Sequence, residues 1–297
     1  MRYHALVTDY DDTLAHEGRV SEETVSALER LRASGRRLIL VTGREVDDLG
    51  DVFDRLDLFD LVVAENGAVL FDADSREETV LCERPAERFV RALRDRGVSP
   101  LSVGRVIVAT REPNQTVVLE TISDLGLELE IIFNEGAVMV LPSGVNKATG
   151  LAAALAKLRL SAHNAVGIGD AQNDHAFMSI CEASVAVANA LPAVKERADL
   201  VTEGEHGEGV IELIEALLDD DLARLDERLG RRDRERQRVR PAGEPTPDPC
   251  GDRGALRGRL NVPAGGSSRQ DEDHGRTGGG AGAGATCSDG RSGPPLE

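Results

Sequence analysis

ALVTDYDDTLA, residues 5–15, joins a short apolar run to three carboxylates, Asp9, Asp11 and Asp12, with Thr13 behind them. A continuous apolar run of strand length, with no polar alternation, fits a parallel sheet covered on both faces by helices. Three acids within four residues repel one another, and no basic residue stands beside them. A partner that neutralises this charge is what the stretch demands.

Strand and helix patterns alternate outward from this point. SEETVSALERLRASG, residues 21–35, reads as a helix with Ser21 as N-cap, Glu22 and Glu23 at the positive end of the dipole, and Gly35 as the stop. Thr24 stands where a capping box places Glu or Gln. RLILVT is a second strand, EVDDLGDVFDRL a helix, and LVVA a third strand. After residue 144 the same order resumes: helix GVNKATGLAAALAKL, then the apolar runs NAVGIG, ASVAV and ADLV, separated by helical patterns. Such alternation predicts an α/β fold with a Rossmann-like parallel-sheet core, built from residues 1–72 and 145–222.

Between them, residues 73–144 read differently. Helix PAERFVRALRDRG precedes strand VGRVIVAT, helix PNQTVVLETISDLG, and a hairpin of LELEIIF and AVMVLP about the turn Asn134–Gly136. That order predicts a small inserted α+β domain. From residue 223 the composition turns to Arg, Gly, Pro and Ala. Beyond Arg231 the large apolar residues are only Val239, Leu256, Leu260, Val262 and Leu296. A segment so poor in apolar surface cannot offset its ordering entropy, and 223–297 is predicted to be a disordered tail.

The bulk numbers exclude some roles. The 297 residues carry a formal net charge of −18, with Lys147, Lys157 and Lys195 the only lysines. This balance disfavours nucleic acid and anionic membrane surfaces as partners. No apolar segment approaches the roughly 20 residues that span a bilayer, and the start lacks a signal-peptide pattern. Cys82, Cys181, Cys250 and Cys287 stand isolated, as expected of free thiols in a reducing cytoplasm.

Ligands of doubly wound sheets bind beyond the carboxyl ends of the strands. Those ends here carry Asp9 and Asp11; Thr42, Gly43 and Arg44; Asn66 and Gly67; and Asp170, Asn173 and Asp174. Lys147 opens the helix that follows the insert. Each signal alone has an ordinary explanation as a solvated turn or cap, but all fall on one edge of one sheet. Asp9, Asp170 and Asp174 can share a hard divalent cation, and magnesium prefers such oxygen ligands. The Thr42 hydroxyl, backbone N–H groups such as that of Gly43, and the Lys147 ammonium suit phosphoryl oxygens. A carboxylate can attack phosphorus, and a second one two residues along can serve as acid and base.

With these residues in place, the chain resembles the haloacid dehalogenase (HAD) superfamily, and within it the Cof-like type IIB phosphatases. DYDDT at 9–13, Thr42 in VTGR, Lys147, and GDAQND at 169–174 match the four motifs in order, with ENGA at 65–68, NA at 189–190 and ADLVTEGEHGEGVIELI as further marks. The resemblance implies Asp9 as nucleophile and Asp11 as general acid/base that also lends its carbonyl to the metal. It implies Thr42 and Lys147 as phosphoryl ligands, Asp170 and Asp174 as the acidic Mg2+ site, and Asn173 as a supporting polar ligand. The insert becomes a cap that lines the pocket for a small phosphorylated metabolite, such as phosphoglycolate or a sugar phosphate. Its short length is closest to the archaeal-type phosphoglycolate and the phosphosugar phosphatases. Arg44, Arg111, Asn114 and Gln115 are candidates to reach such a substrate, with ordinary surface positions as the alternative. With only Phe89 and Phe133 as cap aromatics, a stacked nucleobase is disfavoured. Two departures stand out: Asp12 occupies a usual glycine position, and Ala188 another. The rival readings are a phosphosugar mutase with the same phosphoenzyme, and a non-catalytic binding protein disabled by Asp12.

Overall fold

A computed structural model of the chain describes residues 1–134 and 136–223. The rest of the predicted tail, with Cys250 and Cys287, lies outside the described residues, as does Glu135 in the predicted turn.

The strands in chain order are β1 (Ala5–Asp9), β2 (Arg37–Val41), β3 (Leu61–Ala64), β4 (Val69–Asp72), β5 (Glu77–Val80), β6 (Leu101–Val103), β7 (Val108–Arg111), β8 (Leu129–Asn134), β9 (Ala137–Pro142), β10 (Ala165–Gly169), β11 (Ala183–Ala186) and β12 (Leu200–Val201). The helices are α1 (Glu22–Ala33), α2 (Val46–Val52), α3 (Glu87–Asp95), α4 (Gln115–Asp124), α5 (Lys147–Leu158), α6 (His175–Met178), α7 (Pro192–Lys195) and α8 (His206–Asp219). Eight strands form one sheet in the order β12-β11-β10-β1-β2-β3-β4-β5, and four form a second in the order β6-β7-β9-β8.

From β12 to β3 all neighbours are parallel. Every residue of β1 and β10 is buried. Successive side chains point to opposite faces, so both faces are covered, as the unbroken apolar runs predict. Helix α1 packs on α8 and β2, and α5 packs on α6 and on β2 to β4. The Ser21 cap forms as predicted, its Oγ accepting the Thr24 N–H at 3.1 Å. Gly35, just past the helix, takes φ +89°, the left-handed conformation that a glycine adopts without steric cost.

The structure departs from the expectations in three places. The helix predicted over EVDDLGDVFDRL ends at Val52, because Phe53 turns extended at φ −142° and is buried in the core. The single strand predicted over VGRVIVAT is two strands, β6 and β7, paired antiparallel. The insert was predicted to begin at 73, yet β4 and β5 extend the large sheet antiparallel as far as Val80. Strand β5 is an exposed edge strand with no buried residue, so it carries no hydrophobic alternation to be read.

The second unit packs α3 and α4 on its sheet around Phe89, Leu93, Val98, Val108, Val118, Val138 and Val140. The predicted hairpin is present, with Asn134 paired to Ala137 across β8 and β9. Val106, Ile107, Met139 and Leu141 pack instead with the first core.

Candidate active site

Parallel pairing fixes which residues meet at the sheet edge. Register places Asp9 beside Val41 and Thr8 beside Ile168, so Asp9, Thr42 and Asp170 leave neighbouring strands side by side. Lys147 arrives from α5, whose capping box is complete: the Asn146 side chain accepts the Ala148 and Thr149 N–H groups, and the Thr149 hydroxyl accepts the Asn146 N–H. Gly67, at φ +104°, lets this helix start approach closely, since a Cβ there would lie 2.0 Å from the Asn146 carbonyl oxygen. Any other residue at 67 would push Lys147 away.

The Lys147 ammonium donates to Asp9 Oδ1 and to Asp174 Oδ1, each at 2.5 Å. Asp174 Oδ2 accepts the backbone N–H groups of Asp170 and Ala171 at 3.1 and 2.9 Å. Asp170 Oδ1 accepts the Thr13 hydroxyl at 2.6 Å. One carboxylate oxygen from each of Asp9, Asp170 and Asp174 lies within 4.8 Å of the others, and all three residues are buried. One lysine against three acids leaves the cluster negative.

Burial, and next the Asp174 carboxylate, push Asp9 well above the ordinary carboxylate range, with Lys147 pulling the other way. Burial and Asp174 likewise raise Asp170 to about 7. Burial by itself would lower Lys147, but Asp174 and Asp9 hold it above its usual value. A divalent cation relieves this crowding, and an all-oxygen carboxylate set suits Mg2+. The residues present therefore fit the implied metal.

Asp11 stands apart from this trio. Arg44 grips it with a fork, Nε at 2.9 Å from Oδ2 and Nη2 at 2.7 Å from Oδ1, and the guanidinium lies 5.6 Å from the centre of the Tyr10 ring. The Thr42 hydroxyl accepts the Arg44 N–H at 3.1 Å. A cavity of about 340 Å³ opens over the cluster, lined by Asp9, Asp11, Gly43, Lys147, Asp170 and Asn173 from the first unit and by Arg111, Asn134 and Met139 from the second. Asn173 Nδ2 reaches Asn66 Oδ1 at 3.4 Å, while its Oδ1 is buried without a partner.

Of the side chains expected to reach a substrate, Arg111 lines the cavity and Arg44 is engaged with Asp11. Asn114 is used inside the second unit, donating to the Ser99 carbonyl and the Thr110 hydroxyl. Gln115 caps nothing, and its Oε1 is buried without a partner.

Two residues carried no assigned role in the sequence. Glu65 is buried at φ +49°, and its carboxylate accepts the N–H groups of Arg105, Val106 and Ile107 at 2.7–2.8 Å. It ties the end of β3 to the turn between β6 and β7. The only signal was its place in ENGA after a strand. Asp12 takes φ +56°, the left-handed conformation that explains the usual glycine. Asp is among the few residues that visit it readily. Its carbonyl accepts Asn189 Nδ2 at 2.7 Å and His206 Nδ1 at 3.0 Å, so NA and the GEHGEG stretch converge on this turn.

A profile of haloacid dehalogenase-like hydrolases matches residues 6–104 and 102–214. Phosphoglycolate phosphatase 2 of Saccharolobus solfataricus is 31% identical over 220 residues, covering 72% of this chain and 91% of that protein. A phosphoglycolate phosphatase of Haloarcula marismortui is 31% identical, covering 70% of this chain and 95% of its own. Among solved structures, a haloacid dehalogenase-like hydrolase from Bacteroides thetaiotaomicron superposes with a TM-score of 0.62 at 21% identity, covering 72% of this chain and 99% of that one. A subclass IIB sugar phosphatase of the same superfamily superposes at 0.58 with 21% identity, covering 72% and 98%. With a parallel-sheet edge that gathers all four sequence motifs, and with relatives matched over nearly their whole length, the chain belongs to the haloacid dehalogenase-like hydrolases.

Proposed function

We propose that the chain is a Mg2+-dependent phosphatase that hydrolyses a small phosphorylated carboxylate, phosphoglycolate before sugar phosphates, through an aspartyl-phosphate on Asp9. It is a phosphoric monoester hydrolase of its family. The observation that carries the reading is the Lys147 ammonium, set between Asp9 and Asp174 in a buried trio of acids at the sheet edge.

Asp9, Asp170 and Asp174, with the Asp11 carbonyl, would hold the metal. When bound, it neutralises the carboxylates and the developing charge on the phosphoryl oxygens. Asp9 then attacks phosphorus through one carboxylate oxygen, and the bond to the leaving oxygen breaks. Lys147, the Thr42 hydroxyl and the Gly43 N–H hold the phosphoryl oxygens. Asp11 protonates the leaving oxygen and then takes a proton from the water that attacks the phosphoenzyme at phosphorus. Arg44 aims the Asp11 carboxylate until substrate enters. Asn173 supports the cluster from its edge.

The second unit serves as a cap over this chemistry. Arg111 on β7 supplies a guanidinium suited to a substrate carboxylate. That feature and the names of the relatives favour phosphoglycolate. Cys82 and Cys181 are free thiols, in keeping with a reducing cytoplasm. No helix of the described residues is long and apolar enough to cross a membrane.

Phosphate release from phosphoglycolate, sugar phosphates and a phosphosugar mutase substrate, each with Mg2+ and with excess chelator, tests the proposal. Metal-dependent release that is fastest for phosphoglycolate is expected. Isomerisation of a sugar phosphate without release would contradict it.

A further inference from the structure

Three side chains outside the catalytic cluster come together beside the catalytic loop, and one of them, Asp12, also lines the active-site cavity. One ligand atom from each of Asp12, His16 and His206 lies within 4.8 Å of the other two. The two imidazole rings are tilted against each other with centroids 4.3 Å apart. We propose that Asp12, His16 and His206 form a second metal site, selective for a borderline divalent ion of the zinc class and separate from the all-carboxylate magnesium cluster.

The donor chemistry sets the selectivity. Two imidazoles and one carboxylate suit Zn2+, Ni2+ or Co2+, whereas Mg2+ prefers oxygen alone. Bonds of about 2 Å in tetrahedral geometry place ligand atoms roughly 3.3 Å apart.

Each ligand is held from a different element. His16 sits at the mouth of a tight turn in which its N–H and carbonyl exchange hydrogen bonds with Arg19 at 2.9 and 3.0 Å. Glu17 and Gly18 form that turn with φ +49° and +75°. The Tyr10 hydroxyl donates to the Gly18 carbonyl at 3.0 Å and pins it. His206 begins α8, and its backbone N–H donates to Asn189 Oδ1 at 2.8 Å.

His206 Nδ1 lies 3.9 Å from Asp12 Oδ1, and a backbone carbonyl engages it. Its partner at 3.0 Å is a backbone carbonyl, that of Asp12, so Nδ1 must carry the proton. That tautomer leaves Nε2 with a free lone pair. A ring nitrogen donating to a carbonyl is the usual support of a metal-bound histidine. Two of the three ligands, Asp12 and His206, also hold left-handed backbone angles, φ +56° and +48°. Such angles persist where the surroundings over-determine them.

Three protein ligands leave a coordination position open to solvent. A cavity of about 510 Å³ lined by His16, Glu23, Glu205 and His206 lies beside them and provides the entry path. Asp12 directly follows Asp11, so an ion here ties the catalytic loop to α8. Asp12 thereby acquires a use that its glycine counterparts do not have.

Titration of the full chain with Co2+ in saturating Mg2+ tests the site, read by visible absorption and by competition with Zn2+. A 1:1 band is expected that survives Asp9→Asn and that Zn2+ displaces. His16→Ala and His206→Asn should each weaken binding at least tenfold. His16 is exposed, so its removal does not endanger the fold, and Asn at 206 keeps a side-chain donor for the Asp12 carbonyl. Binding of equal strength in wild type and His16→Ala, or no band at all in the wild type, would overturn the proposal.

Discussion

The parallel strands of the large sheet and the wholly antiparallel second sheet bring side chains to the cavity by opposite rules. Parallel strands all end on one side, so β1, β2 and β10 deliver Asp9, Thr42 and Asp170 to one edge without any further device. Their side chains are buried, and one lysine offsets only part of the negative charge there. The antiparallel sheet sends its strand ends both ways. It contributes single side chains, Arg111, Asn134 and Met139, to the roof of the cavity. On the proposed reading, reaction is concentrated on the parallel strands and selectivity on the antiparallel sheet, and the two should fail in different ways when altered.

The largest effect belongs to the parallel sheet. Asp9→Asn should lower kcat by at least about a thousandfold, because the nucleophile is lost while the hydrogen-bonding shape survives. Circular dichroism should show the fold intact. Activity within tenfold of wild type would remove Asp9 from the mechanism.

Lys147→Met should act on both rate and stability. It leaves three buried acids without their ammonium, a loss of about 3–5 kcal/mol for a broken buried pair. Urea denaturation without metal should report that loss, and Mg2+ should restore part of it. An unchanged midpoint would mean that the acids are already neutral without lysine.

Arg111→Ala probes the other sheet. KM for phosphoglycolate should rise about tenfold with kcat nearly unchanged, the pattern of lost uniform binding. A simple aryl phosphate that lacks a carboxylate should be hydrolysed as before. Equal losses on both substrates would make Arg111 a structural residue.

The mildest perturbation is pH. Burial, and next the Asp174 carboxylate, raise Asp170 to about 7 from the ordinary carboxylate value of 3.8. Between those values the folded metal-free chain holds a proton that the unfolded chain lacks, so its stability falls as pH rises through this window. Magnesium competes with that proton. Its affinity should rise about tenfold per pH unit below 7, with proton release on binding. Calorimetry in buffers of different ionisation enthalpy measures both. A flat affinity profile would show Asp170 to be ionised throughout.

The same contrast explains what could be read from sequence. Strands β1, β2, β3 and β10 are unbroken apolar runs with chemistry at their ends, and pairing in parallel is what such runs do. The carboxylate cluster was legible for that reason, although its parts lie far apart in the chain. Strand β5 was not legible, because an exposed edge carries no alternation. Glu65 was hidden because its function is to satisfy three N–H groups of a turn forty residues away. The fork of Arg44 on Asp11 depends on how two loops approach, which no spacing encodes. Asp12 looked like a defect at a glycine position. In the fold it adopts the glycine's conformation and gathers Asn189 and His206 on its carbonyl.

The central claim is that Asp9 carries the phosphoryl group. Acid-quenching the enzyme during turnover of phosphoglycolate with Mg2+, followed by mass spectrometry of its peptides, tests this most directly. One added phosphoryl group is expected on the peptide containing Asp9, absent in Asp9→Asn. Turnover with no phosphorylated peptide, together with an active Asp9→Asn variant, would contradict it.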